Sequence, residues 1–180
     1  PKGDDFQTRI DNGIESAHNF LYIISPHANA SEFCGKEIDL AILDRSNAQP
    51  ELAGMGTTLT ALHLTGDAVG LLHVGDTRCY AFAGGKLNQL SNDHTVIQEL
   101  LDQGAISLAE AAEHPQRSML TQALRGDGDV TPVLQMYEVK KGDRYLLCSD
   151  GLSGVLTEKE IKIGLKKSDK DEAVKFLVDA

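Results

Sequence analysis

The feature that most constrains this fold is a run of short β-type segments broken by glycine steps at close spacing. Segments 57–64, 68–74, 78–83 and 86–90 are separated by Gly66-Asp67, Gly75-Asp76 and Gly84-Gly85. Gaps this short admit hairpins and exclude the long crossovers that parallel strands require. The pattern predicts an antiparallel meander. Helical patterns flank it. Ile10, Ile14, Ala17, Leu21 and Ile24 fall on helical spacing across 8–24, ahead of Pro26. A second helix is predicted over 31–47, with Phe33, Ile38, Ala41 and Ile42 on its apolar face and Glu37, Asp39 and Arg45 outward. Gln49-Pro50-Glu51 ends it. Polar helix-forming stretches follow at 96–103 and 108–113, then β segments at 131–139 and 144–148. Helices at 157–166, opened by a Thr157 to Glu160 capping box, and at 170–179 close the pattern.

With 180 residues and 41% hydrophobic content, the chain can bury one sizeable core, and residues 1–180 read as a single domain. The balance of 27 acidic against 17 basic residues, a net charge of −10, opposes phosphate-backbone binding and favours cations or basic partners. No nucleic-acid partner is expected. Cys34, Cys79 and Cys148 are odd in number and far apart, which argues against a disulfide framework and for a reducing, cytoplasmic setting. No apolar run approaches the roughly 18 residues of a membrane span, and Pro1-Lys2-Gly3-Asp4-Asp5 lacks a signal-peptide pattern.

Chemistry is narrowed by what is missing. No cysteine is followed six residues later by arginine, since Leu40, Gly85 and Gly154 stand there, so no cysteine-phosphatase loop exists. Gly35-Lys36 and Gly85-Lys86 lack the earlier glycine of a P-loop, because Ala30 and Tyr80 occupy it. There is no Gly-x-Ser-x-Gly elbow and no His-x-x-x-His pair. The histidines read as surface or loop residues, with His94 and His114 as the two to watch. The acids then stand out. Leu147-Cys148-Ser149-Asp150-Gly151 places a carboxylate at the end of an apolar strand, and Val74-Gly75-Asp76 repeats the arrangement. Hard divalent cations prefer such oxygen donors.

Five blocks then read together. They are Leu52-Ala53-Gly54-Met55-Gly56-Thr57-Thr58-Leu59, His73-Val74-Gly75-Asp76-Thr77-Arg78, Leu90-Ser91-Asn92-Asp93-His94-Thr95, His114-Pro115-Gln116-Arg117-Ser118 and Leu147-Cys148-Ser149-Asp150-Gly151-Leu152. In this order they resemble the metal-dependent protein phosphatase 2C (PPM) family of bacterial serine/threonine phosphatases. The resemblance implies an α+β fold: an antiparallel β-sandwich flanked by helices in a four-layer α-β-β-α stack, incomplete at both ends. It implies two core Mn²⁺ or Mg²⁺ ions and a third, weaker one, with Asp150 on a core ion and Asp76 on the third. A metal-bridging hydroxide would attack phosphorus, so no protein nucleophile is expected. Residues 92–118 would form a flap beside the site, with His94, His114, Arg117 and Ser118 as substrate or flap contacts. Phosphorylated proteins and a cognate protein kinase are the partners implied.

The chain departs from that family at its ends. No Asp-Gly block with a Gly-Gly-His tail precedes the first helix, no upstream arginine is placed to grip phosphate, and no Asp-Asn pair follows the last helix. Two readings stand: a metal-dependent phosphatase seen in part, or a catalytically inactive phosphatase-like signalling or binding module. In both, these 180 residues alone are expected to bind manganese poorly and hydrolyse little.

Overall fold

The computed structural model describes residues 32–65, 67–128 and 130–180, so the helix expected over 8–24 lies outside the described residues. In chain order the elements are α1 (Glu32–Ala48), a 3-10 turn (Pro50–Leu52), β1 (Leu59–Thr65), β2 (Ala68–Val74), β3 (Arg78–Ala83) and β4 (Lys86–Gln89). There follow α2 (Val96–Asp102), α3 (Leu108–Ala112), β5 (Val133–Glu138), β6 (Arg144–Cys148), α4 (Asp150–Ser153), α5 (Glu158–Leu165) and α6 (Lys170–Asp179). The expected capping box is present on α5: Thr157 accepts from the Glu160 N–H, and the Glu160 carboxylate accepts from the Thr157 N–H. Apart from α4, the described elements lie where hydrophobic period and turn residues predict them.

The strands form two antiparallel three-stranded sheets, in the orders β1-β2-β5 and β4-β3-β6. The expected meander therefore breaks at Gly75. β1 pairs with β2 and β3 with β4, the latter through Gly84 and Gly85 at φ +56° and +77°, but β2 and β3 belong to different sheets. The physical reason lies in β2. Val69, Leu71, Leu72, His73 and Val74 are all at most 1% exposed, and successive side chains point to opposite faces. A strand buried on both faces needs a layer on each side. The second sheet supplies one.

On the outer face of the first sheet, Ile42 of α1 packs with Leu59, Ala61, Leu72, Val74 and Leu124. On the outer face of the second, Tyr80 and Cys148 pack with Leu156, Ile161, Leu165 and Leu177 from the α5–α6 pair and the turn before it. Val69 and Leu71 of one inner face, and Cys79 and Ala81 of the other, are buried between the sheets, and Tyr137 donates to Leu90 O at 3.2 Å. The result is the expected helix–sheet–sheet–helix stack of an α+β fold. Fully burying each large aliphatic side chain contributes about 2 kcal/mol.

Two assignments on α1 are corrected. Asp39, expected to face outward, is buried and accepts backbone N–H bonds from Arg125 (3.1 Å), Gly126 (2.6 Å) and Gly128 (3.0 Å). Ala41, expected on the apolar face, is exposed. Hydropathy places a carboxylate outward, because a loop more than eighty residues away that satisfies it leaves no mark on the local pattern.

Candidate functional site

The acid turn is built from β2 outward. Gly75 has φ +101°, and a Cβ placed there would overlap Thr58 Cγ2 and stand 2.5 Å from Thr58 Cβ. Only glycine suits both the backbone angle and the space. The flanking groups are tied down as well. Thr58 Oγ1 lies 2.7 Å from Thr77 Oγ1, and Thr60 Oγ1 donates to Thr77 O at 2.7 Å.

Behind this turn His73 is fully buried, which corrects the expectation that every histidine lies on the surface or in a loop. Its Nε2 lies 2.9 Å from Asn92 O, which can only accept, so Nε2 carries the proton. Its Nδ1 lies 2.8 Å from Thr60 Oγ1, and the single Thr60 hydroxyl proton therefore serves two acceptors. Burial, then the neighbouring His94, pushes the His73 pKa down to about 4, so the ring is neutral at pH 7.

Asp150 arrives from the other direction. The β3–β6 ladder ends at the Arg78–Cys148 pair, two residues short of Asp76 on one strand and of Asp150 on the other. Asp150 opens the one-turn helix α4 and is exposed; Asp76 is half-buried. The two carboxylates sense each other. Burial, and next the Asp150 charge, hold the Asp76 carboxyl above its usual range, and Asp93 adds to this while Arg78 offsets part of it.

Arg78 does little to neutralise the pair because it is committed elsewhere. Its Nε donates to both Asp93 oxygens at 3.0 and 2.9 Å, and its Nη2 donates to Asp93 Oδ2 at 2.6 Å. Gln89 Nε2 donates to Asp93 Oδ1 at 3.2 Å. Two neighbouring acids whose nearby arginine is engaged elsewhere form a negative locus that a divalent ion would relieve. Cys148 next to it is no nucleophile, since burial pushes its thiol up to about 11.

The donor chemistry fits a hard cation such as Mn²⁺ or Mg²⁺, while the donor count is small. Among the described residues, no group of three or more His, Cys, Asp or Glu could hold a metal ion. As donors, Asp76 and Asp150 would supply only part of a coordination sphere, the rest falling to water or to other residues. Concavity alone would point elsewhere. Cavities of about 520 and 370 Å³ are lined by Lys167, Phe176 and Asp179 near α6, and by Ala83, Glu138 and Asp143 at the sheet edges.

The structure separates the four expected flap residues. His94 is half-buried against the acid turn, where its Nδ1 accepts the Gly75 N–H at 3.1 Å. His114 lies just past α3 and accepts the Gln116 N–H at 3.2 Å, while Arg117 and Ser118 are exposed in the following turn. No hydrogen bond among the described residues joins these three to Asp76 or Asp150. Sequence reasoning missed Arg78, Asp93, Thr58, Thr60 and His73 as supports of the site. His73 and Arg78 share the Asp76 block, and Thr58 and Asp93 stand in two of the other blocks, but Thr60 lies just outside them and carried no signal.

Comparison with known proteins follows the same lines. The profile of a family described as TIR domain matches residues 1–54, a stretch that runs into the first of the five blocks and overlaps α1. The serine/threonine protein phosphatase PstP of Mycobacterium tuberculosis is 44% identical over 139 residues, 77% of this chain and 27% of that protein. The serine/threonine phosphatase stp of Listeria monocytogenes is 37% identical over 131 residues, 73% of this chain and 52% of that protein. A crystal structure of the PstP catalytic domain in complex with two manganese ions matches with TM-score 0.73 and 39% identity, covering 80% of this chain and 60% of that one. The chain spans between 27% and 52% of the length of these two curated relatives. With the stacked sheets and these likenesses together, the chain belongs to the bacterial metal-dependent serine/threonine protein phosphatase family, the PPM or protein phosphatase 2C type.

Proposed function

We propose that the protein carrying this chain is a metal-dependent protein-serine/threonine phosphatase, and that residues 32–180 are part of its catalytic domain. The observation that supports this most is that Asp76 and Asp150, each just past the end of the β3–β6 ladder, stand close enough to raise the Asp76 pKa, with Arg78 diverted to Asp93. Asp150 would hold a core Mn²⁺ or Mg²⁺, and Asp76 an outer ion. A divalent ion there would supply Lewis acidity for attack of water on phosphorus. The residues of this chain orient it: Gly75, Thr58 and Thr60 fix the Asp76 turn, and the Ser149–Gly154 turn presents Asp150. Phosphorylated proteins are the substrates, with His114, Arg117 and Ser118 on the flap facing them and a cognate protein kinase as partner. A cytoplasmic setting agrees with the free thiols of Cys79 and Cys148, and no described helix is long and apolar enough to cross a membrane.

The test uses the full-length protein with phosphoserine and phosphothreonine peptides. Manganese-dependent phosphate release should vanish with EDTA, and Asp150→Asn should lower kcat by about 100-fold, since a metal is worth several kcal/mol of transition-state stabilisation. Release that survives both treatments would sink the proposal. Peptide binding without turnover would instead favour the inactive binding module.

A further inference from the structure

We propose that His94 is a positioning residue that couples the flap to the acid turn. The inference rests on the metal-dependent reading of Asp76 and Asp150. His94 N donates to Gly75 O at 2.8 Å, and its ring Nδ1 accepts the Gly75 N–H at 3.1 Å. One residue therefore satisfies both backbone groups of the glycine that precedes Asp76. The carbonyl of His94 accepts the Thr121 N–H at 2.9 Å, Thr95 bridges to Leu120, and Val96 N donates to Met119 O at 3.0 Å. Residues 94–96 thus close the base of the flap against its returning limb at 119–121.

Two consequences follow from this wiring. A flap that shifts at its base pulls on Gly75 and, through one peptide unit, on Asp76. The pull is transmitted stiffly, because Thr58 leaves Gly75 no room to slide and Thr77 is anchored by Thr58 and Thr60. The ring is also specialised. Nδ1 must present a lone pair, so the proton sits on Nε2, and the ring stands 4.9 Å from that of His73 at 43°. With Nδ1 engaged inward, that nitrogen serves the acid turn.

The experiment compares the full-length parent with His94→Ala and His94→Asn, measuring Mn²⁺ affinity by calorimetry, exchange of the Gly75 amide and the thermal midpoint. Alanine removes the acceptor, while asparagine keeps an oxygen on Cγ where His carries Nδ1. His94→Ala should weaken Mn²⁺ binding roughly tenfold, as one net hydrogen bond's contribution converts, and speed Gly75 exchange. His94→Asn should recover affinity to within about threefold and restore Gly75 protection. Lowered thermal midpoints in both variants with unchanged Mn²⁺ affinity would overturn the proposal and leave His94 a structural residue. Asp150→Asn separates the two layers of argument. If the parent binds no Mn²⁺, or Asp150→Asn binds it as tightly as the parent, the metal reading fails and the coupling falls with it; if that control behaves and His94→Ala matches the parent, only the coupling fails.

Discussion

Gly75→Ala puts the acid turn under direct test. A left-handed φ of +101° costs an L-residue roughly 1–2 kcal/mol. The added Cβ, 2.5 Å from Thr58 Cβ and 3.2 Å from its Cα, brings an overpacking cost of about 1–3 kcal/mol. The two together predict a loss of about 2–5 kcal/mol, or roughly 10 °C in Tm for a domain of this size. The chain has no tryptophan, so urea unfolding is best followed by far-UV circular dichroism. A second substitution apportions the cost. Thr58→Ser deletes the overlapping Cγ2 yet keeps the 2.7 Å hydroxyl contact to Thr77, and in the Gly75→Ala background it should recover about 1 kcal/mol. Because Thr58 Cβ remains, recovery should be partial. A Gly75→Ala variant within about 0.5 kcal/mol of the parent refutes the reasoning, since surface changes of no consequence fall in that range. Loss that Thr58→Ser leaves untouched assigns the cost to φ and the remaining Thr58 Cβ contact, and none of it to Cγ2.

Asp39→Ala should destabilise the fold by about 2–4 kcal/mol in the same assay, because it strands three backbone N–H groups that now share one buried carboxylate; a change under about 0.5 kcal/mol would show that water replaces it freely. His73 predicts a pH dependence. Its folded pKa, about 4, lies below the unfolded value of 6.5, so the unfolded state binds more protons between the two and stability falls as pH drops through that window. The loss approaches roughly 3 kcal/mol by pH 4, and His73→Asn should flatten the profile of urea midpoints between pH 7 and 4.5. Asp76 works with opposite sign: its raised pKa makes the folded state the better proton binder just above the usual carboxylate range, so its ionisation costs stability as pH rises.

Much of the fold was legible because local rules and the fold agree. The period-2 runs became strands, Thr157 and Glu160 made their capping box, and Gly84-Gly85 made a hairpin turn whose residues both need positive φ. The expected meander failed at one point for a reason the local pattern does not contain. A glycine-acid step suits a hairpin and a change of sheet equally, and burial of β2 on both faces selects the second. The same limit explains α1, where the partner of Asp39 lies across the molecule, and His73, whose neighbours Thr60 and Asn92 come from other segments.

The amino-acid sequence by itself determined which residue types end which strands, the order of the five blocks and so the family, and the presence of Asp76 and Asp150 as hard oxygen donors. Tertiary structure alone decided that these acids come close enough to interact, that Arg78 is withheld from them by Asp93, and that His94 grips the acid turn from the base of the flap. The physical reason is separation along the chain. Asp76 and Asp150 each adjoin strands that pair in one register, and that register is set by burial of whole sheet faces rather than by the residues beside either acid.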